Sequence, residues 1–342
     1  MTRERRFTGR VRTLAAAVLT SILALAACTA APQAEVTRAP STIPSAVPSA
    51  TETTTTPSSS PSPTPSPTPS SPLGEGAVNA LLIGTDSRTK GDLTGNADTI
   101  MLAHLPADRE ALYLISFTRD MWVEIPGLGE GKINAAFARG GTQTLVDTVS
   151  QMLGGVEVDY VAQSNFDGFI ALTRALEGIP VQNKHHSTVT VLSTGRVVDF
   201  PEGEIVLENT DGLIYVRERK RLPLGDLDRT ERQRAVIVGM LDKIASFADD
   251  PAKLAEVLAY VVGNVKITGD LDLTDVTALV PLAGELTRED VVGLMVPITG
   301  FGTIDGASVN LVDQAQTAAL GEAIREDDLA GYVATYGTDY AP

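Results

Sequence analysis

Hydrophobic and polar positions divide the chain into three stretches. The first 27 residues set an arginine-studded segment, Met1 to Arg12, before an apolar run from Leu14 to Ala27 that only Thr20 and Ser21 interrupt. A basic segment followed by a short apolar one is the pattern of an export signal, and a 14-residue run is short for a membrane-spanning helix. From Thr29 to Gly76 the chain is almost entirely Ser, Thr, Pro and Ala, and 11 of its 20 prolines fall between Pro32 and Pro72. That stretch lacks the apolar surface to fold, and its prolines favour polyproline II. At about 3.1 Å per residue it reads as a spacer on the order of 100 Å or more long.

From residue 77 onward the periodicities are those of a folded domain. Three short apolar runs, Val78 to Gly84, Thr99 to Leu105 and Ala111 to Phe117, read as strands. Only Pro106 to Glu110 separates the second from the third, which predicts an antiparallel hairpin. With the first run also antiparallel to the second, one sheet edge collects Asp86, Arg88, Asp98, Arg119 and Asp120. After a glycine-marked loop that includes Gly140 and Gly141, Leu145, Val146, Val149, Met152 and Leu153 recur at helical spacing from Thr142 to Leu153. A second amphipathic helix is expected over residues 166–176, and a groove between the two helices is a candidate lipid-chain site.

Residues 215–234, YVRERKRLPLGDLDRTERQR, hold seven of the 21 basic residues found after residue 76. Read as a strand, 213–219 puts Tyr215, Arg217 and Arg219 on one face. Asp228, with Glu231 three residues on, signals the start of a helix whose buried stripe is Val236, Ile237, Met240, Leu241 and Ile244. Arg229, Arg232 and Gln233 fall at i, i+3 and i+4, on the side of that stripe. A half-buried arginine needs an anion, and arginine rather than lysine suits bidentate phosphate recognition. Structural ion pairing with Asp226, Asp228 and Glu231 is the alternative use of these side chains.

Composition refines this picture. The formal charge of −16 is the sum of a +4 leader, a stalk at −2 and a domain at −18. An acidic domain argues against general nucleic-acid binding, so the arginine cluster is a local exception. The single cysteine excludes a disulfide framework and a Cys-based zinc site. It stands in Leu25-Ala26-Ala27-Cys28, which resembles the bacterial lipobox, and a diacylated Cys28 would anchor the protein firmly. His104, His185 and His186 show neither metal-ligand spacing nor a Ser/His/Asp order.

Taken together, the motifs resemble the LytR-CpsA-Psr family of bacterial cell-wall glycopolymer ligases. The resemblance covers the chain from about residue 77 and rests on six motifs in order. They are Gly84-Thr85-Asp86-Ser87-Arg88, then Ala97-Asp98-Thr99-Ile100, then Ser116-Phe117-Thr118-Arg119-Asp120. Lys132-Ile133-Asn134-Ala135-Ala136 and Asn165-Phe166-Asp167-Gly168-Phe169 follow, and Tyr215-Val216-Arg217-Glu218-Arg219 with Asp226-x-x-Arg229-x-x-Arg232-Gln233 closes the series. Ala97 stands where Ser is frequent, Thr118 where Pro is, and a lipobox replaces the more usual uncleaved membrane helix.

The resemblance implies an α/β/α sandwich with a mixed central sheet, as a single catalytic domain over 77–342 behind a lipoprotein signal peptide (1–27) and a lipid-anchored stalk (28–76). It implies a Mg2+-dependent phosphotransferase that moves a polyprenyl-pyrophosphate-linked glycopolymer onto peptidoglycan and releases polyprenyl phosphate. Asp86 and Asp98 are then the metal pair. Arg88, Arg119, Arg217, Arg219, Arg229, Arg232 and Gln233 hold the pyrophosphate, and Arg119, Asp120 and Asp226 are the catalytic candidates. The expected site of action is outside the cell, on the outer face of the membrane through lipidated Cys28. Two other classes would use the same residues: a polyprenyl-pyrophosphate hydrolase, and a non-catalytic lipoprotein binding lipid or glycan in the envelope.

Overall fold

The computed structural model describes residues 73–247, 249–269 and 286–340. The export leader, Cys28 and the stalk up to residue 72 lie outside the described residues. In chain order the elements begin with β1 (Val78–Thr85), β2 (Ala97–Leu105), β3 (Leu112–Phe117), β4 (Met121–Ile125), β5 (Gly129–Lys132) and α1 (Ile133–Met152). Next come β6 (Tyr160–Ser164), α2 (Phe166–Ala175), β7 (Ile179–Asn183), β8 (Ser187–Thr190), β9 (Val197–Phe200) and β10 (Gly203–Leu207). The chain continues with α3 (Asn209–Arg217), α4 (Asp226–Ala245), α5 (Pro251–Asn264), β11 (Val265–Thr268) and β12 (Val291–Met295). It closes with β13 (Ile298–Ile304), β14 (Ala307–Val312), α6 (Gln314–Arg325) and α7 (Leu329–Tyr336).

The central sheet has six strands in the order β11-β6-β1-β2-β3-β12. It is mixed: β1 pairs antiparallel with β2, and β2 with β3, while β1–β6 and β3–β12 are parallel. The near-continuous apolar runs follow from burial on both faces. Leu82, Met101, Ala103 and Leu114 point into one core with Val236 and Met240 of α4. Leu81, Ile100, Leu102 and Ile115 point into the other with Leu145 and Val149 of α1 and Leu320 and Ile324 of α6. The architecture is therefore an α/β/α sandwich. A second sheet, β13-β14-β4-β5, continues the chain directly beyond β3.

The close fit of α4 onto β7 depends on Gly239, where an added Cβ would meet the Pro180 carbonyl oxygen at 2.0 Å.

Four local expectations are corrected. Residues 213–219 are not a strand: α3 spans Asn209–Arg217, with Gly212 and Tyr215 buried at helical spacing. A short continuous apolar run such as LIYV carries no period that separates strand from helix. The helix expected to start at Asp228 begins at Asp226 behind Gly225. Asp228 turns inward, accepting from the Leu224 amide at 2.7 Å and the Tyr340 hydroxyl at 3.0 Å. The glycine-marked loop is mostly helix: α1 starts at Ile133 and breaks at Gly141, whose φ of 79° suits glycine. Finally, no lipid groove lies between α1 and α2, because α1 packs on one face of the sheet and α2, through Phe169 and Leu172, on the other.

Candidate active site

The alternating strand directions bring the C-terminal ends of β1, β3 and β6 and the N-terminal end of β2 to one sheet edge. After β1 the chain loops from Asp86 to Asn96. The Asp86 amide donates to the Asn96 carbonyl at 3.1 Å, and the Asp86 carboxylate accepts from the Asn96 amide at 2.8 Å and from its side chain at 2.9 Å. Burial works against that carboxylate's charge, but these hydrogen bonds outweigh it and hold its pKa below the usual range. Asn165, following β6, ties the loop down: its Nδ2 donates to the Thr89 and Asp92 carbonyls at 2.9 and 2.8 Å. Its Oδ1 accepts from the Gly168 amide and caps α2.

After β3, a turn closed by the Met121 amide on the Thr118 carbonyl places Arg119 and Asp120 at its corners. Arg119 Nη1 donates to Asp98 Oδ1 at 2.5 Å, and Lys132 Nζ donates to Asp120 Oδ1 at 2.7 Å. Arg219 Nη1 stands 3.8 Å from Asp120 and 3.9 Å from Asp226. At the first turn of α4, Arg229 Nη2 is 2.9 Å from Asp226 Oδ1 without hydrogen-bond alignment. Burial raises the Asp226 pKa, the nearby Arg229 charge opposing it only in part, and burial lowers that of Arg229.

Behind this polar rim lies a cavity of about 180 Å³. Leu82 and Met101 of the sheet, Phe169 and Leu172 of α2, Val216 of α3 and Val236 and Met240 of α4 are among the apolar residues of its wall. Thr85, Asp98, Asn165, Arg217, Arg229 and Gln233 are among its polar lining residues. Arg217 is exposed and its guanidinium sits 4.4 Å above the Phe166 ring. Gln233 Nε2 lies 3.5 Å from the Asp98 carbonyl oxygen and 3.4 Å from that of Val216. Arg229 is 3% exposed, yet its Nε and Nη2 find no hydrogen-bond partner, and neither does Arg119 Nε. Buried N–H groups left unpaired are costly unless something binds them, and a guanidinium binds an anion best. The N-terminus of α4 adds favourable dipole for negative charge at the same place.

The structure thus brings Asp98, Arg119, Asp120, Arg217, Arg219, Asp226, Arg229 and Gln233 to one region, with Asp86 adjoining it on the loop after Thr85. Arg88 is exposed on that loop and does not line the cavity. Arg232 departs from the expectation. Its Nη2 donates to the His185 carbonyl at 2.7 Å and to Ser187 Oγ at 2.8 Å, and its guanidinium lies 4.3 Å from the Tyr215 ring centre. Residues 227–234 are all buried, so this half of α4 has neighbours on every side and its side chains fan outward to different partners. Shared spacing along the helix did not mean a shared pocket. Lys132 and Asn165 received no role from the sequence, although both fall inside recognised motifs. Among the described residues no three His, Cys, Asp or Glu cluster as metal ligands, and no helix is long and apolar enough to cross a membrane.

A sequence model of the LytR_cpsA_psr family matches residues 45–326. The polyisoprenyl-teichoic acid–peptidoglycan teichoic acid transferase TagU of Oceanobacillus iheyensis is 32% identical over 257 residues, which cover 72% of this chain and 77% of that protein. Among solved structures, protein gbs0355 from Streptococcus agalactiae superposes with a TM-score of 0.65 at 25% identity, covering 74% of this chain and 88% of its own. TagT bound to LIIa-WTA superposes with a TM-score of 0.58 at 26% identity, covering 77% and 94% respectively.

Proposed function

This chain belongs to the LytR-CpsA-Psr family, and from that premise we propose that it transfers a polyprenyl-pyrophosphate-linked glycopolymer onto peptidoglycan as a phosphotransferase. The observation that carries the reading is the pairing of an apolar cavity with buried guanidinium N–H groups beside it that have no hydrogen-bond partner. An apolar chain fills the cavity and its pyrophosphate meets Arg119, Arg217 and Arg229, with Arg219 and Gln233 beside them. The related TagU is named for a polyisoprenyl-linked teichoic acid donor and a peptidoglycan acceptor, and TagT has been solved with LIIa-WTA bound.

Phosphoryl transfer asks a protein mainly to position groups and neutralise charge. The attacking peptidoglycan hydroxyl forms a bond to the sugar-proximal phosphorus. The bond from that phosphorus to the bridging oxygen breaks, and polyprenyl phosphate leaves with the electron pair. The hydroxyl proton needs an acceptor. Of the two candidates, Asp120 already accepts from Lys132, whereas both Asp226 oxygens are buried without hydrogen-bond partners. Asp226, with its pKa raised by burial, is the better base.

The donor set suits Mg2+, which takes one or two carboxylates together with phosphate oxygens and waters rather than an all-protein cage. Asp98 lines the cavity with one oxygen on Arg119 and the other free of hydrogen bonds among the described residues, and Asp86 directly follows the cavity-lining Thr85 in the chain. These two would hold the ion, which when bound neutralises phosphate charge.

The test is product analysis with and without peptidoglycan. A transferase joins glycan to peptidoglycan through a phosphodiester and releases polyprenyl phosphate only when the acceptor is present. Equal release without acceptor identifies a hydrolase. Full complementation of a deletion strain by Asp98→Ala identifies a non-catalytic binder.

A further inference from the structure

The second sheet begins at Met121, directly after the Arg119–Asp120 corner, and its outward face mixes an aromatic, an aliphatic and charged side chains. Along β4, Met121, Val123 and Ile125 are buried, so Trp122 and Glu124 take the opposite face. Cross-strand register sets Leu311 of β14 beside Trp122, and Lys132 of β5 on its other side. Leu311 is 37% exposed, Trp122 and Lys132 half-buried. On β13, Gly300 pairs with Leu311, and a Cβ on Gly302 would stand 3.3 Å from the Leu311 side chain. Beyond Leu311 the row meets glycine instead of another side chain, and the Leu311 side chain leans over Gly302. Glu124 and Glu130, both exposed, face each other one step along on the same face as Trp122.

Resting on the reading just given, we propose that this face, with Trp122 at its centre, is the docking surface for the glycan strand of the acceptor. The lipid-linked donor takes the apolar cavity, so the acceptor hydroxyl must reach the pyrophosphate from outside it. The surface leads there: Trp122 adjoins Lys132, Lys132 pairs with Asp120, and Asp120 neighbours Arg119, which holds the cavity-lining Asp98. Two residues of strand carry the chain only about 7 Å from Asp120 to Trp122. A flat aromatic beside a leucine that lies low over glycine, flanked by charged side chains able to bond hydroxyl and amide groups, suits a linear polymer of sugar rings. An indole face packs against the C–H face of a pyranose while its surroundings stay polar.

Trp122 is the only tryptophan in the chain, so its fluorescence reports on this face directly. The full chain is titrated with a soluble, uncrosslinked peptidoglycan strand and, separately, with a short-chain polyprenyl pyrophosphate. The strand is expected to shift the emission and protect it from quenching, the lipid to do neither. In the transfer assay, Trp122→Ala is expected to raise the KM for the strand about ten-fold at unchanged kcat and unchanged lipid binding, with Trp122→Phe recovering most of the loss. The exposed Leu311→Ser provides a second variant with the same direction of effect should Trp122→Ala fold poorly. Emission that ignores the strand while transfer proceeds overturns the docking surface and leaves the transferase reading intact. A strand-dependent emission shift with no transfer under any condition upholds the surface and overturns the transferase reading.

Discussion

Asp226 and Arg229 sit one helical turn apart, at the start of α4, and each is shifted by the same burial in opposite senses. Burial disfavours the ionised carboxylate and the protonated guanidinium alike, and the 2.9 Å contact offsets only part of that. A base must be ionised to accept a proton. Transfer rate is therefore expected to rise with pH along a limb that lies above the usual carboxylate range, because the Asp226 pKa is raised. Asp226→Asn should abolish that limb and lower kcat on the order of 10²- to 10⁴-fold, with donor affinity largely kept. An Asp226→Asn enzyme retaining both the rate and the limb would assign the base elsewhere.

At the scale of elements, α4 does most to organise the site. Its first turn supplies Asp226 and Arg229, its second Gln233, and its C-terminal half the cavity wall at Val236 and Met240. Its seating depends on Gly239 touching β7, so Gly239→Ala should force the helix off the sheet. The expected cost is roughly 1–3 kcal/mol of stability, read as a lower thermal midpoint, together with weaker donor binding because Arg229 and Gln233 ride on the same helix. A variant with wild-type midpoint and affinity would show that the contact relaxes freely.

The three strands that open the domain were legible because apolar runs, a short connection and polar ends all agreed, and the convergence of Asp98, Arg119 and Asp120 followed from strand direction alone. α3 was misread because LIYV has no distinctive period. Arg232 was misplaced because a helix buried all round has no single inward side. The apolar cavity was not legible as a place, since the residues that enclose it are spread from Leu82 to Val265 and meet only in the folded sheet and the helices packed on it.

At the scale of the whole molecule, a domain at −18 places six of its 14 arginines between residues 215 and 234, and the burial of Arg229 rather than net charge makes this corner of the fold the candidate anion site. We propose that the chain's N-terminal pattern holds the domain outside the membrane through a lipidated Cys28. Cys28→Ala is expected to lose incorporation of a labelled fatty acid and to release the protein from the membrane fraction. Unchanged labelling would assign the anchor to another residue.

The account's central claim is that one ligand places its apolar chain in the cavity and its pyrophosphate on the buried guanidinium groups beside it. The most direct measurement compares equilibrium binding of a short-chain polyprenyl pyrophosphate and the matching polyprenol to the full chain and to Arg229→Gln. The account predicts a loss of about 10- to 100-fold for the pyrophosphate and no change for the alcohol, the size of a charge-assisted hydrogen bond removed. Equal weakening of both ligands, or of neither, would contradict it.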